Sequence, residues 1–177
     1  MSDKVPDRPT VAQRLLDVVG EDGVSLSEPL SEHITFKIGG PADVFVAPDS
    51  IESAERAIAV CREEGVPFFV LGRGSDLLVS DLGYRGVIIC MADALDDLVV
   101  EDEKLVCQAG VTLSDAAEMA CALGLTGLEF ACGIPGTVGG AVFMNAGAYG
   151  GQIADVLESV RVVDAAGEVR EMGVDEL

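Results

Sequence analysis

The chain has 177 residues, 49% of them hydrophobic, with 31 Asp and Glu against 11 Lys and Arg for a formal charge of −20. That length allows one domain or two small lobes and buries roughly 70% of the unfolded surface, so a core needs no covalent staple. The acidic field works against nucleic acid and anionic membrane surfaces as partners, while a small phosphate ligand can still be held by backbone N–H groups and one local Arg.

Val11, Leu15, Leu16 and Val19 recur at helical spacing before the breaker Gly20-Glu21-Asp22-Gly23, predicting a leading helix behind a loose tail, MSDKVPDRPT. Asp43 to Val46 reads as a short strand. Ser50 then N-caps a helix to about Glu64, with Ser53 standing where a capping box usually carries Glu or Gln. Gly65 and Pro67 stop that helix, and Phe68 to Leu71 is an apolar run of strand length, so residues 43–71 read as a βαβ unit. Leu77–Val79 and Gly86–Cys90 are expected as short strands around the turn Asp81 to Tyr84, and Leu98–Glu101 with Lys104–Ala109 as a hairpin across Asp102-Glu103. Thr112 N-caps a helix to Leu123 whose apolar face carries Leu113, Ala116, Ala117, Ala120 and Cys121. Val156–Val163 and Glu168–Glu171 form a final strand pair, and Val174 to Leu177 reads as the start of a helix. A soft boundary falls at Met91 to Asp97, where βαβ order gives way to hairpins and one helix.

Two Gly-rich segments carry the chemistry. Gly72-Arg73-Gly74-Ser75-Asp76 follows the strand ending at Leu71, at the carboxyl end where open α/β sheets place ligands. Consecutive small residues there can form an anion-binding nest, with the Ser75 hydroxyl and Arg73 as further donors; Asp76 fits only if its carboxylate turns away from an anion. The second segment, GIPGTVGGAVFMNAGAYG from Gly133 to Gly150, carries no charge and is half glycine and proline in its first part. Such density suits close approach of backbone to a ligand, the alternative being a run of structural turns. Neither a Walker A loop nor G-x-G-x-x-G is present, so a P-loop or standard Rossmann site is not expected.

Cys61, Cys90, Cys107, Cys121 and Cys132 are odd in number and scattered, and His33 is the single histidine, so neither a disulfide framework nor a metal site is expected. Cys61 and Cys121 are expected as buried thiols on helix faces, Cys90 and Cys107 in strands. Cys132 abuts the Gly-rich segment but has no neighbouring base to activate it. No apolar leader or membrane-length stretch is present, which makes the cytoplasm the default expectation.

Three blocks now carry a resemblance. HITFKIGGPAD from His33 to Asp43, VLGRGSDLLV from Val70 to Val79, and Leu128-Glu129-Phe130 through Gly150 follow one another as in the UDP-N-acetylenolpyruvoylglucosamine reductase family. The resemblance covers about residue 30 to residue 177 and implies an α+β, two-lobed FAD-binding fold of the vanillyl-alcohol-oxidase (p-cresol methylhydroxylase) type, lacking the C-terminal substrate domain. The implied division is an N-terminal helix and tail over 1–28, a first FAD-binding lobe over 29–94 and a second over 95–177.

By position, the resemblance gives Leu71 and the loop Gly72, Arg73, Gly74, Ser75 and Asp76 to the FAD pyrophosphate. Gly133, Ile134, Pro135 and Gly136, then Thr137, Gly139, Gly140 and Ala141, would line the path from adenine to flavin. Asn145, Gly147 and Ala148 would lie near the isoalloxazine edge, and Tyr149 would face the substrate; for Tyr149 a packed aromatic at a loop end is the open alternative. Asp76 stands where the family commonly has Asn, and Ile34 where it commonly has Thr. The implied reaction is reduction of the enolpyruvyl group of a UDP-sugar by NADPH through FAD, giving UDP-N-acetylmuramate for peptidoglycan, with a Ser as proton donor and an Arg and a Glu stabilising the intermediate. Those three residues lie beyond Leu177 in the family pattern, so no catalytic residue is expected within these 177 positions and the chain alone is expected to be inactive. The competing expectation is a non-catalytic FAD-binding module, or a fragment completed by a partner chain.

Overall fold

The computed structural model describes residues 8–92, 94–164 and 166–177. The chain divides into two compact units, Met1–Ala94 and Leu95–Leu177.

In the first unit, helix α1 (Arg8–Val19) leads into strand β1 (Val24–Pro29), a 3-10 turn at Leu30–Glu32 and strand β2 (Pro41–Val46). Helix α2 (Ile51–Glu63), strand β3 (Phe68–Leu71) and strand β4 (Tyr84–Cys90) follow. The sheet order is β1-β2-β4-β3: β2, β4 and β3 run parallel, and β1 closes the edge antiparallel to β2. The strand–helix–strand unit of residues 43–71 is therefore present, with β4 between its two strands. Residues buried on both faces explain why β4 reads as a continuous apolar run. One face carries Phe45, Leu71, Ile88 and Cys90 in a cluster with Leu30. Strand alternation puts Val44, Val46, Val87 and Ile89, all buried, on the other.

α2 starts at Ser50, whose side chain accepts from the Ser53 N–H, while Ser53 Oγ accepts from the Ser50 N–H at 3.0 Å. Serine thus completes a capping box without Glu or Gln, and such a cap contributes about 1 kcal/mol. α2 buries Ala54, Ala57, Ile58 and Cys61 and is tied to α1 by Arg14, which pairs with both Glu63 and Glu64.

In the second unit, strands β5 (Leu98–Glu101) and β6 (Lys104–Cys107) form a hairpin, and helix α3 (Leu113–Ala122) follows behind its Thr112 cap. A 3-10 turn at Glu129–Ala131 precedes helix α4 (Val138–Met144). Two-residue strands β7 (Gly147–Ala148) and β8 (Gly151–Gln152) then pair, and strands β9 (Ser159–Val163) and β10 (Val169–Gly173) make a second hairpin. The core gathers Leu113, Ala117, Phe130, Ala131, Ala141 and Ile153.

Several expectations about the elements need correction, among them the loose tail, of which Arg8–Thr10 belong to α1 and residues 1–7 lie outside the described residues. Leu77–Val79 is irregular rather than a strand: Leu77 and Val79 pack against the core cluster of the sheet, and Val79 stands against the loop residue Gly39, without joining the sheet's pairing. β1 was not expected: its sequence VSLSEP is polar because it is a largely exposed edge. The last hairpin starts at Ser159, not Val156, since Ile153–Asp155 forms a 3-10 turn that carries Val156 with it. Cys121 is exposed, one residue past the buried Ala120 and so about 100° around the helix from it.

Candidate functional site

The loop after β3 is built from its neighbours in the first unit. Leu71 is 2% exposed and anchors the entry to the loop in the core cluster. Gly74 has φ +59°, and a Cβ there would stand 2.5 Å from the His33 carbonyl oxygen and 2.7 Å from Ile34 Cγ2. The Gly74 carbonyl accepts from the Thr35 N–H at 3.1 Å. Glycine at 74 is thus fixed both by a left-handed backbone and by close approach of residues 33–35. On the outer side Arg73 and Asp76 are exposed and Ser75 half-buried, and Arg73 forms no ion pair with any described residue. The sequence block around His33 was legible as a motif, but its contact with Gly74 was not: forty residues separate the two.

In the second unit the Gly-rich segment is a turn, a short helix and a hairpin. Its start is pinned to the start of α3. Leu113 N–H donates to the Gly136 carbonyl, Val138 N–H to Val111, and Gly139 N–H to Ala109. Thr137 bridges Thr112, is 2% exposed and caps α4 by accepting from the Gly140 N–H at 3.3 Å. The Ala141 side chain is buried and Ile134 packs against the core, so these two face inward. Pro135 and Gly133 are exposed and Gly136 half-buried.

α4 itself was not expected, since two adjacent glycines lower helix propensity by about 1 kcal/mol each. The two differ in what surrounds them. A Cβ on Gly139 would meet Ala109 Cβ at 2.8 Å and its carbonyl oxygen at 3.0 Å. A Cβ on Gly140 would meet only Thr137 Oγ1 at 3.4 Å, and the residue is exposed. Packing accounts for glycine at 139, and no described residue accounts for it at 140.

α4 ends at Asn145 in the left-handed region, φ 43°. Both ends of its side chain are engaged: Nδ2 donates to Gln152 Oε1 at 3.1 Å and Oδ1 accepts from the Ala154 N–H at 3.0 Å. Gly147 and Ala148 form β7, and the turn to β8 is Tyr149-Gly150 with φ 52° and 91°. Positive φ at both central residues is the hairpin turn that normally selects Asn-Gly, so an aromatic there is an outlier. Tyr149 is 96% exposed, so it is not the packed aromatic that a loop end could have held. With Gly127, Glu129, Phe130, Gly150 and Gly151 it borders an open cleft of about 430 Å³.

None of the five cysteines forms a disulfide. Cys61 is fully buried and burial pushes it up to about 11; Cys107 is raised for the same reason. Cys121 and Cys132 are exposed. Among the described residues no group of three or more His, Cys, Asp or Glu could hold a metal, and no helix is long and apolar enough to cross a membrane.

A parallel βαβ-containing unit followed by a hairpin-and-helix unit, each carrying an uncharged or Gly-rich loop, defines a flavin-dinucleotide fold of the p-cresol methylhydroxylase type. The chain belongs to the FAD binding domain family, whose model matches residues 42–173. Over 153 residues it is 46% identical to the UDP-N-acetylenolpyruvoylglucosamine reductase of Clostridium botulinum strain Hall, covering 86% of this chain and 50% of the relative. The crystal structure of UDP-N-acetylenolpyruvylglucosamine reductase from Thermus caldophilus superposes with a TM-score of 0.69 at 35% identity, covering 87% of this chain and 53% of that one. p-Cresol methylhydroxylase superposes at 0.68 with 17% identity over 96% of this chain and 36% of its own, a likeness of fold. The chain spans about half the length of the curated relatives it matches.

Proposed function

We propose that this chain is the FAD-holding portion of a UDP-N-acetylenolpyruvoylglucosamine reductase, which uses NADPH to convert UDP-N-acetylglucosamine enolpyruvate to UDP-N-acetylmuramate for peptidoglycan in the cytoplasm. Its lobes are residues 29–94 and 95–177, behind an N-terminal helix and tail. The observation that carries the reading is Gly140: an exposed helical glycine that costs stability and is explained by no described neighbour is what a closely approaching ligand requires. The similarity to the reductases supplies the identity of that ligand.

The residues present fit a flavin dinucleotide. The Gly72–Asp76 loop offers a left-handed glycine, the Ser75 hydroxyl and an exposed Arg73 for the pyrophosphate, a local positive group within an acidic molecule. Gly133, Gly136, Gly139 and Gly140 offer backbone without a side chain along the dinucleotide, and Thr137 and Ala141 turn inward. Asn145 acts by holding the α4–β8 connection through Gln152 and Ala154, leaving the backbone at Gly147 and Ala148 to approach the flavin edge. The exposed Tyr149, kept at a backbone conformation that disfavours it, faces the UDP-sugar. Bound FAD would supply a hydride carrier between NADPH and the enolpyruvyl group. The similarity to the reductases assigns none of these residues as its proton donor, and turnover by this chain alone is not expected.

An absorbance spectrum of the purified chain after FAD is added and excess removed tests the reading. Flavin bands near one equivalent support it, and a folded but colourless protein refutes it. NADPH-dependent reduction of the enolpyruvyl substrate by the chain alone would refute the second part, that catalysis needs more than these residues.

A further inference from the structure

The approach to β2 contains an arrangement that neither the core nor the proposed ligand contacts explain. His33 stacks on Phe45 with ring centroids 4.2 Å apart and planes 27° from parallel. Its Nε2 lies 2.9 Å from Glu28 Oε1 on β1, and both side chains are less than a third exposed, 29% and 27%. Phe45 is 7% exposed and shares a cluster with Leu71, the residue that enters the Gly-rich loop. The imidazole is therefore held on its face by the core and at its edge by a carboxylate, more than a surface side chain needs.

The consequence lies in the backbone. The His33 N–H donates to the Leu30 carbonyl at 3.0 Å, and the His33 carbonyl oxygen stands against Gly74, 2.5 Å from where a Cβ there would lie. Two residues on, the Thr35 N–H donates to the Gly74 carbonyl. One stretch of three residues thus has its ring fixed to β1 and β2 and its backbone fixed to the loop. A loop whose donors must converge on an anion binds in proportion to the fraction of time it is in the converging shape.

We propose that His33 and Glu28 are positioning residues that hold the Gly72–Asp76 loop in its anion-binding shape for the FAD pyrophosphate. The inference rests on the reading that this loop meets FAD, and the experiment separates the two. His33→Phe keeps a ring on Phe45 and loses the bond to Glu28; Glu28→Ala loses the same bond from the other side; Glu28→Gln keeps an acceptor in place. The readouts are FAD affinity by flavin fluorescence and amide hydrogen exchange at residues 73–76 in the ligand-free chain. Losing one such partly buried bond should weaken FAD roughly 5–20-fold and speed exchange of those amides. The double variant H33F/E28A should lose no more than either single one, and E28Q should behave as the parent. Arg14→Ala, which breaks the ion pairs to Glu63 and Glu64, should lower stability without changing either readout. Unchanged exchange in folded H33F overturns the positioning role whether or not FAD binds, and so do additive losses in the double variant. A parent that binds no FAD removes the ligand reading, and the exchange comparison still decides whether the pair holds the loop. Should E28A not fold, H33F and E28Q decide the same question.

Discussion

Gly139 and Gly140 are adjacent in α4, so alanine at each position separates a glycine kept for packing from one kept for a ligand. At 140 the added methyl meets only Thr137 Oγ1 at 3.4 Å, and the backbone is helical, so the fold should gain about 0.5–1 kcal/mol from better helix propensity. For a chain of this size that is about 1–4 °C in Tm. A ligand resting on the Gly140 Cα would have to give way to the methyl, an overpacking of about 1–3 kcal/mol, or roughly 5–150-fold in Kd. At 139 the methyl would stand 2.8 Å from Ala109 Cβ, so Gly139→Ala should lose about 1–3 kcal/mol of stability. Thermal unfolding without ligand and FAD titration by fluorescence read both effects. The two readouts should move in opposite directions for G140A, a stabler protein that binds FAD worse. A G140A protein that binds FAD as tightly as the parent would refute the ligand role of this helical glycine.

Tyr149→Asn should raise stability by about 1 kcal/mol, because asparagine tolerates the left-handed turn position and no packing is lost from a side chain 96% exposed; a fall in Tm would show that the ring packs in solution. Asp76→Asn should tighten FAD by up to about fivefold, the size of one exposed charge interaction, with the gain shrinking as salt rises. Under native conditions a thiol reagent should modify Cys121 and Cys132 quickly and Cys61 only on unfolding, which mass spectrometry of digests would read. Cys61 stands at about 11 in the folded chain against an ordinary 9.0, so its contribution is complete below pH 9 and is lost as pH rises toward 11. The unfolded thiol ionises first, and the loss reaches about 3 kcal/mol. Denaturant midpoints of the parent and Cys61→Ala between pH 8 and 11 should converge; parallel curves would show that the thiol ionises alike in the folded and unfolded chain.

Elements with strong local signals were legible: α1 from its apolar spacing, α2 and α3 from Ser50 and Thr112 caps, and the β5–β6 hairpin from its Asp102-Glu103 turn. β1 escaped because an exposed edge strand needs no apolar alternation, only a partner, and its partner β2 is set by the sheet. α4 escaped for the converse reason: Gly139 and Gly140 argue against a helix locally, while the Thr137 cap and the bonds from Val138 and Gly139 to Val111 and Ala109 impose one. Cys121 was misplaced because a residue beside the buried Ala120 lies about 100° around the helix, and composition does not say how wide the buried face is.

The residues by themselves carry glycine-dense backbone in two places, one of them uncharged and the other bearing Arg73 and Asp76, within a strongly acidic chain, and three ordered blocks similar to a flavoenzyme family. These are local properties, carried by composition and spacing, and they survive any arrangement of the rest. Tertiary structure alone decided which glycines serve the fold and which leave room outside it, that Tyr149 stands clear of the core, and that His33 backs Gly74 from forty residues away. Each of those is a question of which atoms meet, and contacts between distant segments follow from the sheet order and the register of packing, which no short stretch of sequence encodes.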